Sequence, residues 1–273
     1  MEAAKSTDRQ EFADGKMIAE KDGAIGWIIF NNPARHNAVS LEMFQAVPGI
    51  IADYESDDAI RVIVVRGAGD KSFISGADIS QFEKVRASST DTSFYDKTTE
   101  AASNSLYHTE MPTVAMINGF CIGGGVSIAM SCDLRIASDA SRFAVPAAKL
   151  GVGYRAHGIR KLMGAVSPAF VKEIFYTARQ FSAEEALAMG WVNRVLPGAQ
   201  LEAFVREYAG TIAANAPLTI RAVKVAVGEL LKDPTDRNLE HVETLVADCF
   251  GSEDYVEGRR AFMEKRPPRF QGR

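Results

Sequence analysis

INGFCIGGGVSIAM, residues 117–130, passes from a strand-like run through three consecutive glycines into a helix-like run, and no acid or base follows the glycines. Glycine gives up more conformational freedom on folding than any other residue, so a triplet marks a backbone shape that side chains would obstruct. If a helix begins near Gly124, its first N–H groups have no partner inside the helix and its positive dipole end faces outward. FISGADI, residues 73–79, repeats the arrangement, with small residues closing an apolar strand, here IRVIVVRG at 60–67. Two N–H groups converging from such loops would form an oxyanion hole for an enolate or a tetrahedral adduct. The same glycines also suit plain tight turns or close packing, and glycine content by itself leaves both readings open.

Working outward, residues 24–31 (AIGWIIFN), 113–119 (TVAMING) and 134–137 (LRIA) join 60–67 as short apolar runs bounded by turn residues, the pattern of buried strands. Between them the spacing turns helical. Ser40 reads as the N-cap of a helix over 41–57, in which Pro48 should produce a kink or an interruption, and a second helix covers about 92–109. Such alternation predicts an α/β fold with crossover connections. From about residue 158 the strand signals nearly vanish, apart from 191–196. Amphipathic segments follow at 167–177, 182–190, 200–214, 218–232 and 237–250, and Ser182 with Glu185 forms a capping box.

With 47% hydrophobic and 24% charged residues in 273, the chain has the balance of an ordinary soluble globular protein. Its net charge of −4 argues against nucleic acid or a membrane surface as partner and for a small molecule. Cys121, Cys132 and Cys249 show no ligand spacing and read as free thiols of a reducing compartment. His36, His108, His157 and His241 have no metal-ligand spacing either, and there is no P-loop or dinucleotide fingerprint. The first 17 residues lack the apolar centre of a signal peptide and read as a flexible lead-in, consistent with a cytoplasmic location. Met111 to Cys132 is 22 residues without a charge, long enough to cross a bilayer, but Pro112, Asn118 and its glycines suit a strand, a turn and a buried helix better.

The two glycine loops in this order, with FNNPARHNAVSLEM, CDLRIAS, FAVPAAKLGVG, ARQFSAEEALAMGWVNRVLP and SEDYVEGRRAFMEKRPPRF, resemble the crotonase superfamily, the enoyl-CoA hydratase and isomerase fold, over residues 18–272. The resemblance implies a crotonase (ClpP-like) spiral of ββα units over 18–197. A C-terminal helical region over 198–273 would assemble trimers or dimers of trimers. It also implies an acyl-CoA thioester as substrate, with no cofactor beyond the coenzyme A moiety. The oxyanion hole would be the N–H groups of Ala77 and Gly124. Arg35 would lie along the phosphates or pantetheine, Ser75, Gly76, Asp78 and Ile79 would border the adenine and pantetheine, and Phe262 and Lys265 would complete a neighbouring subunit's coenzyme pocket.

Hydratases of this family carry one glutamate two residues after the glycine triplet and another directly after the proline of the next strand; this chain has Ser127 and Ala147 there. Each general acid or base is worth roughly 10²–10⁴-fold, so the absence of both disfavours hydration. KLGVGYRAHG (149–158) supplies Tyr154, Arg155 and His157, and its LGV-x-Y spelling resembles the methylmalonyl-CoA decarboxylase branch, although that branch has a histidine where this chain has Ala77. Decarboxylation or isomerisation, which need an enolate and one proton, are therefore expected ahead of hydration. Tyr154, Arg155 and His157 join Ala77 and Gly124 as the catalytic candidates: the resemblance implies that Tyr154 lies by the substrate carboxylate, Arg155 suits bidentate binding of a carboxylate and His157 suits proton transfer. The plain readings are Tyr154 as the wall of an acyl pocket, Arg155 as half of a surface salt bridge and His157 as a structural side chain. Asp78 suits a turn or helix cap, and Ser127 has no His–Asp support for a nucleophilic role. A non-catalytic acyl-CoA carrier or regulatory module is the competing class.

Overall fold

The computed structural model describes residues 8–78 and 89–273. The chain opens with β1 (Asp8–Phe12), β2 (Met17–Asp22), β3 (Ile25–Phe30), α1 (Leu41–Glu55), β4 (Val62–Gly67), β5 (Ser72–Ile74) and α2 (Ser89–His108). Next come β6 (Thr113–Ile117), β7 (Phe120–Ile122), α3 (Gly124–Ser131), β8 (Leu134–Ser138), β9 (Arg142–Ala144), α4 (Ala147–Leu150), α5 (Ala156–Met163) and α6 (Pro168–Thr177). β10 (Phe181–Ser182), α7 (Ala183–Ala188) and β11 (Arg194–Leu196) precede the closing helices α8 (Gly198–Ala214), α9 (Pro217–Leu230), α10 (Leu239–Gly251) and α11 (Glu253–Glu264).

Each turn of the chain lays one strand in a seven-stranded sheet, order β1-β2-β3-β4-β6-β8-β11, one in a four-stranded sheet, order β10-β9-β7-β5, and then a helix. β4, β5 and α2 make one such turn; β6, β7 and α3 make the next. The result is the expected spiral of ββα units with helices at the C-terminal end. From β3 to β11 the large sheet is parallel. Both of its faces are covered, which is why its strands read as continuous apolar runs rather than alternating ones. Ile63, Val65, Ala115 and Ile117 face the space between the sheets, while Val62, Val64, Val114 and Met116 face Leu201, Val205 and Ala209 of α8. At roughly 1.5–3 kcal/mol for each fully buried Val, Leu or Ile side chain, this two-sided burial is the main term holding the spiral together.

Three expectations need correction. Residues 8–12, expected within a flexible lead-in, form β1, an exposed edge strand paired in antiparallel register with β2. Its polar sequence, DRQEF, suits an edge strand and hides the strand signal. Pro48 does not interrupt α1, which runs continuously from Leu41 to Glu55 with Val47, Ile50 and Ile51 fixed in the core on either side of it. The division at 197/198 is not a break in packing, because α8 closes the outer face of the large sheet.

The charge-free stretch from Met111 to Cys132 becomes β6, β7 and α3, and among the described residues no helix is long and apolar enough to cross a membrane. All three cysteines are free. Burial pushes the Cys132 thiol up to about 12 and the Cys121 thiol up as well, so both stay protonated.

Candidate functional site

The site begins with the turn between β3 and α1. Asn37, fully buried and at φ +55°, donates from Nδ2 to the carbonyls of Ala68 (2.9 Å) and Ser72 (2.7 Å), and its Oδ1 accepts from the Asn32 N–H (3.0 Å). Asparagine tolerates this left-handed conformation better than most residues. So anchored, the turn carries Val39 alongside Ala77 in an isolated parallel bridge: the Val39 N–H donates to the Gly76 carbonyl (2.9 Å), and the Asp78 N–H donates to the Val39 carbonyl (2.9 Å). Those two bonds flank Ala77 and run to one edge. Because successive backbone groups in extended chain alternate direction, the N–H of Ala77 points to the other edge.

Close to Ala77 lies Gly124, the first residue of α3. A β-carbon built there would stand 3.8 Å from the Ala77 nitrogen and 3.8 Å from Cζ of Phe44. As the opening residue of a helix, Gly124 has an N–H without an intrahelical acceptor, backed by the helix dipole. Among the described residues neither amide has a hydrogen-bond partner. The other two glycines of the triplet do different work. Gly123, at φ +54°, is the left-handed residue that turns β7 into α3. Gly125 packs so tightly on β5 that a β-carbon would be 2.4 Å from the Ile74 carbonyl oxygen.

An apolar wall stands beside the two amides: Phe44, on the helix capped by Ser40, meets Tyr95 of α2 edge to face at 6.4 Å. Water kept out by such rings leaves backbone dipoles stronger than they would be in solvent.

The remaining candidates divide. Arg35 Nη1 donates to Asp78 (3.1 and 3.2 Å), and Ser75 Oγ donates to the Arg35 carbonyl (3.4 Å), so these three sit at the mouth of the amide pair. Tyr154 packs edge to face on Phe175 (4.7 Å), and burial raises its pKa, which keeps the phenol neutral. With Ser127, Met130, Val145, Lys161 and Phe175 it lines a small cavity. Its neighbours turn elsewhere. Arg155 is ion-paired with Asp96, and His157 Nδ1 lies 3.9 Å from Glu100 Oε1, both carboxylates belonging to α2. Ala147 opens α4 two residues beyond Val145. Phe262, 82% exposed, is on α11 and Lys265 caps that helix; the structure of one chain does not bring either to the amide pair. Ile79 lies outside the described residues. Among the described residues no group of His, Cys, Asp and Glu could hold a metal ion.

Lys161 of α5 is the site residue that sequence reading missed. Its Nζ donates to Ser103 Oγ (2.8 Å), Asn104 Oδ1 (3.1 Å) and Ser131 Oγ (3.2 Å), and burial pulls its pKa down to about 8. A signal existed: Gly158, Lys161 and Leu162 share one helical face by spacing, and that face is the apolar one.

Comparison with known proteins gives a consistent result. The family model for enoyl-CoA hydratase/isomerase matches residues 20–273. A short-chain-enoyl-CoA hydratase of Clostridium acetobutylicum is 32% identical over 254 residues, covering 92% of this chain and 95% of that protein. A carnitinyl-CoA dehydratase of Escherichia coli is 31% identical over 257 residues, covering 93% and 97%. The crystal structure of an enoyl-CoA hydratase/isomerase family protein from Hyphomonas neptunium superposes with a TM-score of 0.90 at 35% identity, covering 94% of this chain and 98% of that one.

Proposed function

This chain belongs to the enoyl-CoA hydratase/isomerase family, and from that premise we propose that it binds an acyl-CoA thioester with the carbonyl oxygen between the N–H groups of Ala77 and Gly124. Charge developing on that oxygen as an enolate forms would be met by two fixed donors; removal of one such donor typically costs about 10²–10³ in rate. The reading rests on one observation: two unpartnered amides from separate loops lie close together, a β-carbon at Gly124 standing 3.8 Å from the Ala77 nitrogen, beside an aromatic wall.

With serine at 127 and alanine at 147, the site lacks the carboxylate pair that adding water to a double bond calls for. We therefore place isomerisation or decarboxylation ahead of hydration. In a decarboxylation the bond between Cα and the carboxylate breaks, its electrons pass into the thioester as an enolate, carbon dioxide leaves, and one proton is added at Cα. Tyr154 would form the acyl-side wall. Arg155 would have to give up Asp96 to reach a substrate carboxylate, and that counts against it. Coenzyme A would be held at the mouth by Arg35, Ser75, Gly76, Asp78 and Ile79. We further propose self-association through the C-terminal helices, bringing Phe262 and Lys265 to a neighbour's coenzyme.

The test is to incubate the purified protein with enoyl-, malonyl-type and saturated acyl-CoA thioesters and follow their masses. Loss of carbon dioxide from a branched malonyl thioester, or a shifted double bond at constant mass, is the expected result. Gain of water at an enzymatic rate, in line with the names of the relatives, would overturn the preference against hydration. Binding of thioesters without any turnover would favour the carrier alternative.

A further inference from the structure

Lys161 is a partly buried cation with no carboxylate bonded to it among the described residues, surrounded by hydroxyl and amide oxygens. Partly burying an ammonium carries a desolvation cost, which here is offset by neutral oxygens and not by a bonded carboxylate. The hydroxyls around it form a chain. Ser103 Oγ, which accepts from Lys161, lies 2.7 Å from Ser131 Oγ and 3.5 Å from Ser127 Oγ. Ser131 is tied down, donating to the Ser127 carbonyl at 2.9 Å. Ser127, in turn, stands one helical turn from Gly124 on the same face of α3 and lines the small cavity with Lys161 and Tyr154. The far end of the chain thus lies one helical turn from Gly124, on the face of α3 that carries it.

We propose that Lys161, acting through Ser103 and Ser127, takes and returns the proton at the carbon next to the thioester carbonyl. The inference rests on the acyl-CoA reading given above. In one direction the Cα–H electrons enter the thioester as an enolate held by the N–H groups of Ala77 and Gly124. The proton passes to Ser127 Oγ while the Ser127 proton moves to Ser103 and the Ser103 proton to the neutral amine, so that one proton in total leaves carbon and one arrives on Nζ. The reverse direction restores the C–H bond. A group poised near pH 8 suits this task, because it can both hold and release a proton close to neutrality. The titratable groups around Lys161 are Glu100, Tyr107 and His108 from α2 and Cys132 at the end of α3, with Tyr154 across the cavity. Glu100 favours its charged form, and burial, followed by the positive charge of Lys161, lowers the pKa of His108.

The experiment follows deuterium entering Cα of butyryl-CoA in heavy water by mass spectrometry, with thioester affinity measured in parallel by titration calorimetry. Exchange should rise about tenfold per pH unit and level off near the Lys161 pKa of about 8, because only the neutral amine can take the proton. Lys161→Arg keeps the cation and its donors but cannot lose its proton. It should bind butyryl-CoA within about twofold of the parent, exchange at least about 100-fold more slowly, and lose the levelling near pH 8. Ser127→Ala, which leaves Lys161 in place, should also exchange at least about 100-fold more slowly at unchanged affinity. Exchange that persists in Ser127→Ala, or an unshifted profile in Lys161→Arg, would overturn the relay. Binding with no exchange in the parent protein would also overturn it and leave the amide site standing, whereas absence of binding would remove both.

Discussion

At the scale of single residues, the two glycines that open α3 separate folding from binding. A β-carbon at Gly125 would press on the Ile74 carbonyl at 2.4 Å, so Gly125→Ala is expected to lower stability by about 1–3 kcal/mol in chemical denaturation. At Gly124 nothing lies nearer than 3.8 Å, and Gly124→Val should fold with nearly the parent's stability. Its methyl groups would fill the gap between the two amides, and acyl-CoA affinity should fall at least about tenfold. Retained affinity in Gly124→Val would refute the assignment of Ala77 and Gly124. Arg35 offers a contrast, because its guanidinium is exposed although Asp78 is largely covered, and such a surface pair is worth about 0–1 kcal/mol. Arg35→Ala should leave the melting temperature unchanged while weakening thioester binding at low salt more than at high salt, if the phosphates are what it meets.

The elements bring these residues together through polar groups that hydropathy does not reveal. Asn37 bridges β4 and β5 through two carbonyls, and its loss would leave both unsatisfied at about 1–3 kcal/mol each. Asn37→Ala should therefore lose stability and thioester affinity together, since Val39 and with it Ala77 depend on that turn. Lys161 joins α5 to α2 and α3 and supplies a pH dependence whose sign is fixed. Its pKa is lower in the fold, about 8, than its ordinary value of 10.5, so between these limits the unfolded chain binds more protons. Stability then rises with pH across that window as the penalty for a buried charge is relieved. Denaturation midpoints measured at both ends of the window should show this rise in the parent and not in Lys161→Met. Of the local signals, the Ser182–Glu185 capping box was legible because both partners are close in sequence, and it forms as read. Lys161 was not legible in the same way, because its partners lie 30 and more residues away.

For the whole molecule, the helices after α8 leave Val223, Val227, Leu230, Phe250 and Phe262 exposed. Large apolar side chains left exposed on successive helices are ordinarily covered by another protein surface. Self-association through α9 to α11 is the expected outcome, and light scattering should return a trimer or a dimer of trimers. Val227→Glu combined with Phe262→Glu should shift the population to monomer and weaken thioester binding in the same step, if a neighbour completes the coenzyme pocket. A parent protein that is monomeric at micromolar concentration would refute this.

The sequence by itself determined the fold class, the strands of the parallel sheet and the two loops that carry the amide pair. Buried parallel strands are apolar on both faces, and glycine runs at strand ends record backbone demands that are local. It did not determine that residues 8–12 add an edge strand, that α8 belongs to the sheet, or that Arg155 and His157 turn to Asp96 and Glu100. Those outcomes depend on which polar groups meet after distant segments pack, and short-range patterns carry no record of such meetings. Lys161 is the clearest case: only the packing of α2, α3 and α5 surrounds an otherwise ordinary lysine with two serines and an asparagine and sets it behind Ser127.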